Sequence, residues 1–119
     1  MATYSKIVLS GSTDGRGILV DDDATAGKTI HTGSSTATTY DEVWIYAANY
    51  DGSDRKLTIE WGSASAGDII ESTITSEAGL VLVIPGLIIK GNASPLVIAA
   101  FAATTSSIQL FGYVNRITA

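Results

Sequence analysis

The chain has 119 residues, no cysteine and one histidine, and its 12 acidic residues against 7 basic ones give a formal net charge of -5. This length fits one domain spanning 1–119. The missing cysteines exclude disulfides, thiolate nucleophiles and cysteine-ligated metals, and the lone His31 excludes a two-histidine metal site. The acidic balance argues against nucleic acid and against an anionic membrane surface as partners.

Short segments rich in Ile, Val and Thr follow one another along the chain, whereas helical patterns are scarce. Glycine-rich and proline-containing segments separate them, and Asp51-Gly52 predicts a hairpin between two long strands. This spacing favours an all-β fold, namely a single-domain antiparallel β-sandwich or jelly roll. The predicted strands cover 5–9, 16–20, 28–32, 41–50, 55–61, 68–75, 80–84, 87–90, 95–102 and 107–117.

The longest apolar stretch, 78–89, is interrupted by Pro85-Gly86, which predicts a turn. The stretch is too short for a membrane helix. Near the start of the chain, Lys6 is followed by a short apolar run that does not reach the length of a signal-peptide core. We therefore expect a soluble product made in the cytoplasm.

The strand faces differ along the chain. Segment 56–61 alternates apolar and polar residues, which predicts one buried face and one wet face that carries Glu60. In the last strand, Gly112 indicates a bulge or a close backbone approach. Segment 43–48 is apolar or aromatic on both faces, which is typical of a strand that is covered twice. A two-layer sandwich covers it once, so we expect a homo-oligomer, with a trimer favoured, to supply the second cover.

Candidate catalytic and metal-binding groups are few. Asp21–Asp23 suits either a calcium site or a solvated turn, and its spacing, unlike that of an EF-hand loop, favours the turn. His31 is interpreted as a hydrogen-bonded structural residue, because no nucleophile motif accompanies it. We expect no enzyme activity, no cofactor and no metal. A glycosidase-like carboxylate pair is the alternative that four acidic residues leave open: Glu60, Asp68, Glu71 and Glu77.

Two further features suit molecular contacts. Asp14-Gly15-Arg16-Gly17 is read as either an exposed recognition loop or a tight turn before a strand. Several aromatic side chains occupy predicted strands, and we expect them to form core and subunit contacts rather than a sugar-stacking platform. These aromatic residues are Trp44, Tyr46, Tyr50, Trp61, Phe111 and Tyr113.

The segments 41–49, 57–62, 83–87 and 111–117 resemble small virion proteins of tailed bacteriophages, and 15–18 and 30–32 fit the same pattern. The resemblance covers most of the chain and implies a non-enzymatic head decoration, or cement, protein. Such a protein would be made in the host cytoplasm and would bind the major capsid protein on the virion surface as a small oligomer. The candidate subunit or capsid contacts are Arg16, Trp44, Tyr46, Tyr50, Phe111 and Tyr113.

Two other functions remain open at this stage. One is a tail, neck or fibre-associated virion module that recognises a host surface, including its glycans, through exposed loops. The other is a carbohydrate-binding or hydrolytic jelly roll, which would need an exposed aromatic stripe beside a carboxylate pair. Multivalent docking on a repeating lattice favours the decoration role, because a small symmetric protein gains avidity without strong single contacts.

Overall fold

The computed structural model describes residues 2–119, which form nine antiparallel strands and no helix. Within this range no helix is long and apolar enough to cross a membrane. The strands are β1 Thr3–Val8, β2 Ile18–Leu19, β3 Lys28–Thr32, β4 Thr39–Asn49, β5 Arg55–Trp61, β6 Ile69–Ile74, β7 Val81–Lys90, β8 Val97–Ala102 and β9 Ile108–Thr118.

The strands build two sheets that pack around one hydrophobic core. The first sheet has the order β1-β9-β4-β7, with β2 pairing beside β1 along β9. The second has the order β3-β8-β5-β6. The predicted all-β, antiparallel, two-sheet architecture is therefore confirmed.

The core forms where alternating side chains of the two sheets meet. In β4 the odd-numbered residues from Thr39 to Asn49 are buried, and the even-numbered ones face outward and are half-buried or exposed. In β9, Ile108, Leu110 and Val114 point inward. Strands β5 and β8 supply the opposing layer, which includes Leu57, Ile59 and Ile98.

Pro85-Gly86 does not form the predicted turn. Both residues lie inside β7, a single edge strand that pairs with β4 on both sides of them. The register shifts there because Gly86 is the extra residue of a bulge, with a positive φ of 76°. Proline is tolerated because an edge strand has N–H groups that no neighbouring strand needs.

Asp51-Gly52 does not make the predicted hairpin either. The strands that it connects, β4 and β5, belong to different sheets, so this loop crosses from one layer to the other. The buried Asn49 side chain holds the crossing. Its Nδ2 donates to the carbonyls of Ser53 and Ile74 at 2.9 Å each, and its Oδ1 accepts the Asp51 N–H.

Gly112 marks a close approach of the β9 and β4 backbones. This was one of the two alternatives predicted from the sequence, the other being a bulge. A Cβ built on it would lie 2.0 Å from the Trp44 carbonyl oxygen. Glycine is therefore required for β9 to lie this close to β4.

The total surface of the chain is ordinary for its size. It measures 6108 Å² for 12.3 kDa, and the scaling relation for compact monomers gives about 6,100 Å². Any sign of a missing cover therefore lies in which residues make up the outward-facing surface, and not in its total area.

Candidate functional site: the outer face of the first sheet

The outward-pointing side chains of β4 and β9 form a band of aromatic residues in the middle of the first sheet. Trp44 lies opposite Tyr113 in the β4–β9 register, and Tyr46 lies opposite Phe111. All four are half-buried, so the single chain leaves part of each ring open to solvent. The structure thus brings four of the contact candidates onto one surface, which we call the outer face.

Exposed apolar side chains surround this aromatic band. On the β1 side, Val8 lies opposite Tyr113, and Tyr4 lies farther along β1 with 74% of its surface exposed. On the β7 side, Leu82 lies opposite Tyr46 and Ile88 opposite Glu42, and both are more than two-fifths exposed. The strand alternation of β1 and β7 places these residues outward, but the sequence reading did not select them.

The rings of the outer face are held in fixed positions. The Trp44 and Tyr113 rings stack with centroids 6.1 Å apart and an interplanar angle of 13°. The ammonium of Lys6 lies 4.8 Å from the Tyr113 centroid, a cation–π distance. The Trp44 indole covers Gly86, where a Cβ would come within 2.8 Å of the ring. Fixed aromatic rings lose little conformational entropy on binding, which favours their use in contacts.

Glu42 links the aromatic band to the polar end of the outer face. Its carboxylate accepts hydrogen bonds from Trp44 Nε1 at 2.7 Å and from Asn115 Nδ2 at 2.9 Å. These two hydrogen bonds lower the pKa of Glu42 below its ordinary value, and the bond from Trp44 has the larger effect. A shallow groove of about 370 Å³ borders this carboxylate and is lined also by Tyr4, Lys6 and Ile117. This end of the outer face therefore presents the Glu42 carboxylate, the Lys6 ammonium and apolar walls.

Two contact candidates lie away from the band. Tyr50 follows β4, is 58% exposed, and donates its hydroxyl to the Ser106 carbonyl at 2.5 Å. Arg16 is exposed in the loop before β2, where its carbonyl accepts the Ser12 hydroxyl. This loop contacts the outer face at Gly17, which packs so closely on the Phe111 ring that a Cβ would have no room there.

His31 belongs to a buried polar network inside the sandwich, as its structural interpretation predicted. Its Nδ1 accepts the Ser10 N–H at 3.0 Å, and its Nε2 lies 2.8 Å from Asp41 Oδ2. These partners assign the proton to Nε2. Arg116 donates to both oxygens of Asp41, at 2.7 and 2.8 Å. The network ties β3 of the second sheet to β4 and β9 of the first.

Burial raises the pKa of Asp41, but the hydrogen bonds from Arg116 and His31 together outweigh it and leave the pKa below its ordinary value. Asp41 also raises the pKa of Arg116 through the same hydrogen bonds. Both groups are therefore charged at neutral pH. Asp41 is 1% exposed, so its ion pair with Arg116 within the first sheet and its hydrogen bond with His31 of the second sheet are structural contacts of the core.

Three of the remaining acidic candidates have a side-chain partner. Glu71 pairs with Lys56 at 2.7 Å, Asp68 accepts the Ser63 hydroxyl, and Asp21 lies 3.7 Å from Lys28. Within residues 2–119, no group of three or more histidine, cysteine or acidic side chains is placed to hold a metal ion.

Glu60 does not lie on a wet face as expected. It points outward from the second sheet but is 3% exposed, because the loop before β3 folds over it. Its Oε2 accepts the Thr25 hydroxyl at 2.8 Å and its Oε1 the Gly27 N–H at 2.9 Å.

No protein-family model matches the chain, and a search of curated proteins returns no match.

Proposed function

We propose that the protein is a non-enzymatic structural protein of a bacteriophage virion, a head decoration protein that binds the outer capsid lattice as a small oligomer, with a trimer favoured. In this proposal the sandwich is a jelly roll, and the outer face of the first sheet is the surface that neighbouring subunits and the capsid cover. The observation that carries the proposal is the aromatic band of Trp44, Tyr46, Phe111 and Tyr113 on an unpartnered sheet face.

The chemistry of this face suits a permanent contact. Interfaces concentrate aromatic residues at their centres and keep charged groups at their rims. The outer face has the same order, with Trp44 and Tyr46 in the middle and Lys6 and Glu42 toward one end. Exposed apolar residues on edge strand β7 extend the surface, and edge strands are ready pairing sites.

The lattice supplies the remaining binding energy. A capsid repeats the same site many times, so an oligomer that bridges several sites gains avidity even when each contact is weak. Such a protein needs stability more than it needs catalytic groups. The buried hydrogen bonds of Asn49 with Ile74 and of Asp41 with His31 connect the two sheets and suit that need.

A head-binding assay tests the proposal. Decoration-free heads of the phage that encodes the chain are mixed with purified protein, sedimented, and heated to find the temperature at which they open. We expect the protein to co-sediment with the heads and to raise their opening temperature. Protein that stays in the supernatant, or that immunolabels the tail of intact virions, would overturn the proposal, and the tail label would favour the tail-module alternative.

A matched pair of variants tests the surface. Leu82→Asp places a charge on the outer face from edge strand β7, and Ile69→Asp does the same on the other sheet from edge strand β6, at similar exposure. We expect Leu82→Asp to weaken head binding by about thirtyfold, equivalent to about 2 kcal/mol, because the charge would be buried beside Tyr46 in the contact. Ile69→Asp should leave binding within about twofold. Equal losses in the two variants would contradict the assignment of the face.

A further inference from the structure

The loop before β3 covers a carboxylate that has hydrogen bonds but no counter-charge. Glu60 is 3% exposed on the outward side of the second sheet, the side opposite the aromatic band. Within residues 2–119, no lysine, arginine or histidine forms an ion pair with it. A cation that pairs with a buried carboxylate is the group whose charge complements it, so a cation is the complementary ligand for this position.

A cleft of about 220 Å³ adjoins this carboxylate. Apart from Glu60, its lining is uncharged, and most of the lining side chains are small or absent. The volume is below the range of roughly 300–1,000 Å³ that is usual for drug-sized ligands, so the cleft suits one side-chain end rather than a larger molecule. The lining residues are Ala26, Gly27, Thr29, Glu60, Gly62, Ser63, Ala64, Val97 and Ala99.

The hydrogen bonds from the protein to Glu60 use part of the acceptor capacity of each carboxylate oxygen. A carboxylate oxygen has about two acceptor positions. Thr25 occupies one position on Oε2, and Gly27 occupies one on Oε1. One position therefore remains on each oxygen, and a guanidinium group matches two adjacent carboxylate oxygens with its planar pair of N–H donors.

We propose that this cleft is a binding site for an arginine side chain of a partner protein, with Glu60 as the anion that receives the guanidinium. The walls formed by Ala64, Val97 and Ala99 would contact the aliphatic stem of that side chain. The site lies on the sheet face opposite the aromatic band, so it is a second contact point, independent of the proposed function.

Titration with small probes tests the site. Butylguanidinium, butylammonium and the uncharged butylurea are added at low ionic strength to the isotope-labelled full chain, and the amide signals of Gly27 and Ala99 are followed by NMR. We expect saturable shifts with butylguanidinium, weaker binding of butylammonium, and no saturable shift with butylurea. Equal or tighter binding of butylammonium or butylurea, or no saturable shift with butylguanidinium, would overturn the proposal.

Three variants locate the binding. Glu60→Gln should weaken butylguanidinium binding about tenfold or more, because a charge-assisted pair is lost. Glu71→Gln removes an exposed carboxylate that pairs with Lys56 on the same sheet side and should leave affinity within about twofold. Ala64→Leu, at an exposed loop position, should obstruct the cleft without touching Glu60.

Unchanged affinity in a folded Glu60→Gln variant would overturn the proposal. If that variant fails to fold, Ala64→Leu decides, since unchanged affinity there would overturn it as well.

Discussion

Replacing Asp41 with asparagine tests the buried network that Asp41 forms with Arg116 of the same sheet and with His31 of the other sheet. Asp41 accepts two hydrogen bonds from Arg116 and one from His31, and both Asp41 and His31 are 1% exposed. The asparagine keeps the shape but loses the charge, and its amide nitrogen must face one of these donors. Breaking a fully buried ion pair costs about 3–5 kcal/mol.

Arg116 reduces that cost, since 30% of its side chain reaches water and can be solvated when the pair is lost. We therefore expect Asp41→Asn to lower the free energy of unfolding by about 2–4 kcal/mol at pH 7. A domain of this size loses about 4 °C of Tm per kcal/mol, so the expected decrease is about 8–16 °C. Asp21→Asn, in an exposed pair at 3.7 Å, is the matched control and should change stability by about 0.5 kcal/mol or less.

The pH dependence follows from the direction of the pKa shift. Because the folded protein holds the pKa of Asp41 below its ordinary value of 3.8, its stabilisation is complete above that value and is lost as pH falls through the folded-state pKa. The difference between wild type and Asp41→Asn should therefore be largest at neutral pH and shrink below about pH 4. Urea denaturation followed by circular dichroism measures it. A difference under about 1 kcal/mol at pH 7, or one that grows on acidification, would refute the reasoning.

Three substitutions elsewhere have contrasting expected effects. Gly112→Ala should destabilise the protein by about 3 kcal/mol or more in urea melts, since its Cβ would meet the Trp44 carbonyl at 2.0 Å, and a change under about 1 kcal/mol would contradict the close approach. Gly52→Ala, which has open space around it, should change stability by less than about 1 kcal/mol, and a larger loss would show a constraint that the structure lacks. Asp22→Ala should be nearly silent in thermal melts, because the residue contributes its backbone carbonyl to Ala102, whereas a large loss would point to a cation at this turn.

The sequence was sufficient to predict strands and their faces where alternation was local. Two of the predicted strands, 28–32 and 55–61, have the observed bounds, and six others differ from the observed strands by a few terminal residues. The outward placement of Phe111 and Tyr113 followed from their spacing in the last strand. Segment 43–48 is a strand, as predicted, and its outward side chains are half-buried, whereas the second cover expected from a partner subunit stays a prediction.

The errors arose where distant parts of the chain decide the outcome. Asp51-Gly52 has hairpin chemistry, but the pairing partners of β4 are β7 and β9, so the loop crosses between layers. Pro85 is permitted within β7 because β7 is an edge strand. Glu60 is buried because a loop more than thirty residues earlier covers it. None of these three features can be predicted from the local alternation of apolar and polar residues.

The candidate surface was predicted in part. The aromatic residues were selected by type and strand position, and the register then placed Trp44, Tyr46, Phe111 and Tyr113 together. Tyr4 and Leu82 were missed, because knowing that they join the same face requires the strand order β1-β9-β4-β7. Tyr50 and Arg16 lie in loops, and the alternation of residues in strands does not predict where loop side chains point.

The native mass of the full chain in dilute solution tests the central claim most directly. The account predicts a concentration-stable species of about three times the 12.3 kDa chain mass. It also predicts that Tyr46→Asp, which charges the centre of the outer face, shifts this species toward the single chain while keeping the far-ultraviolet spectrum of a β-protein. A wild-type chain that sediments as a lone 12.3 kDa particle at every concentration would contradict it.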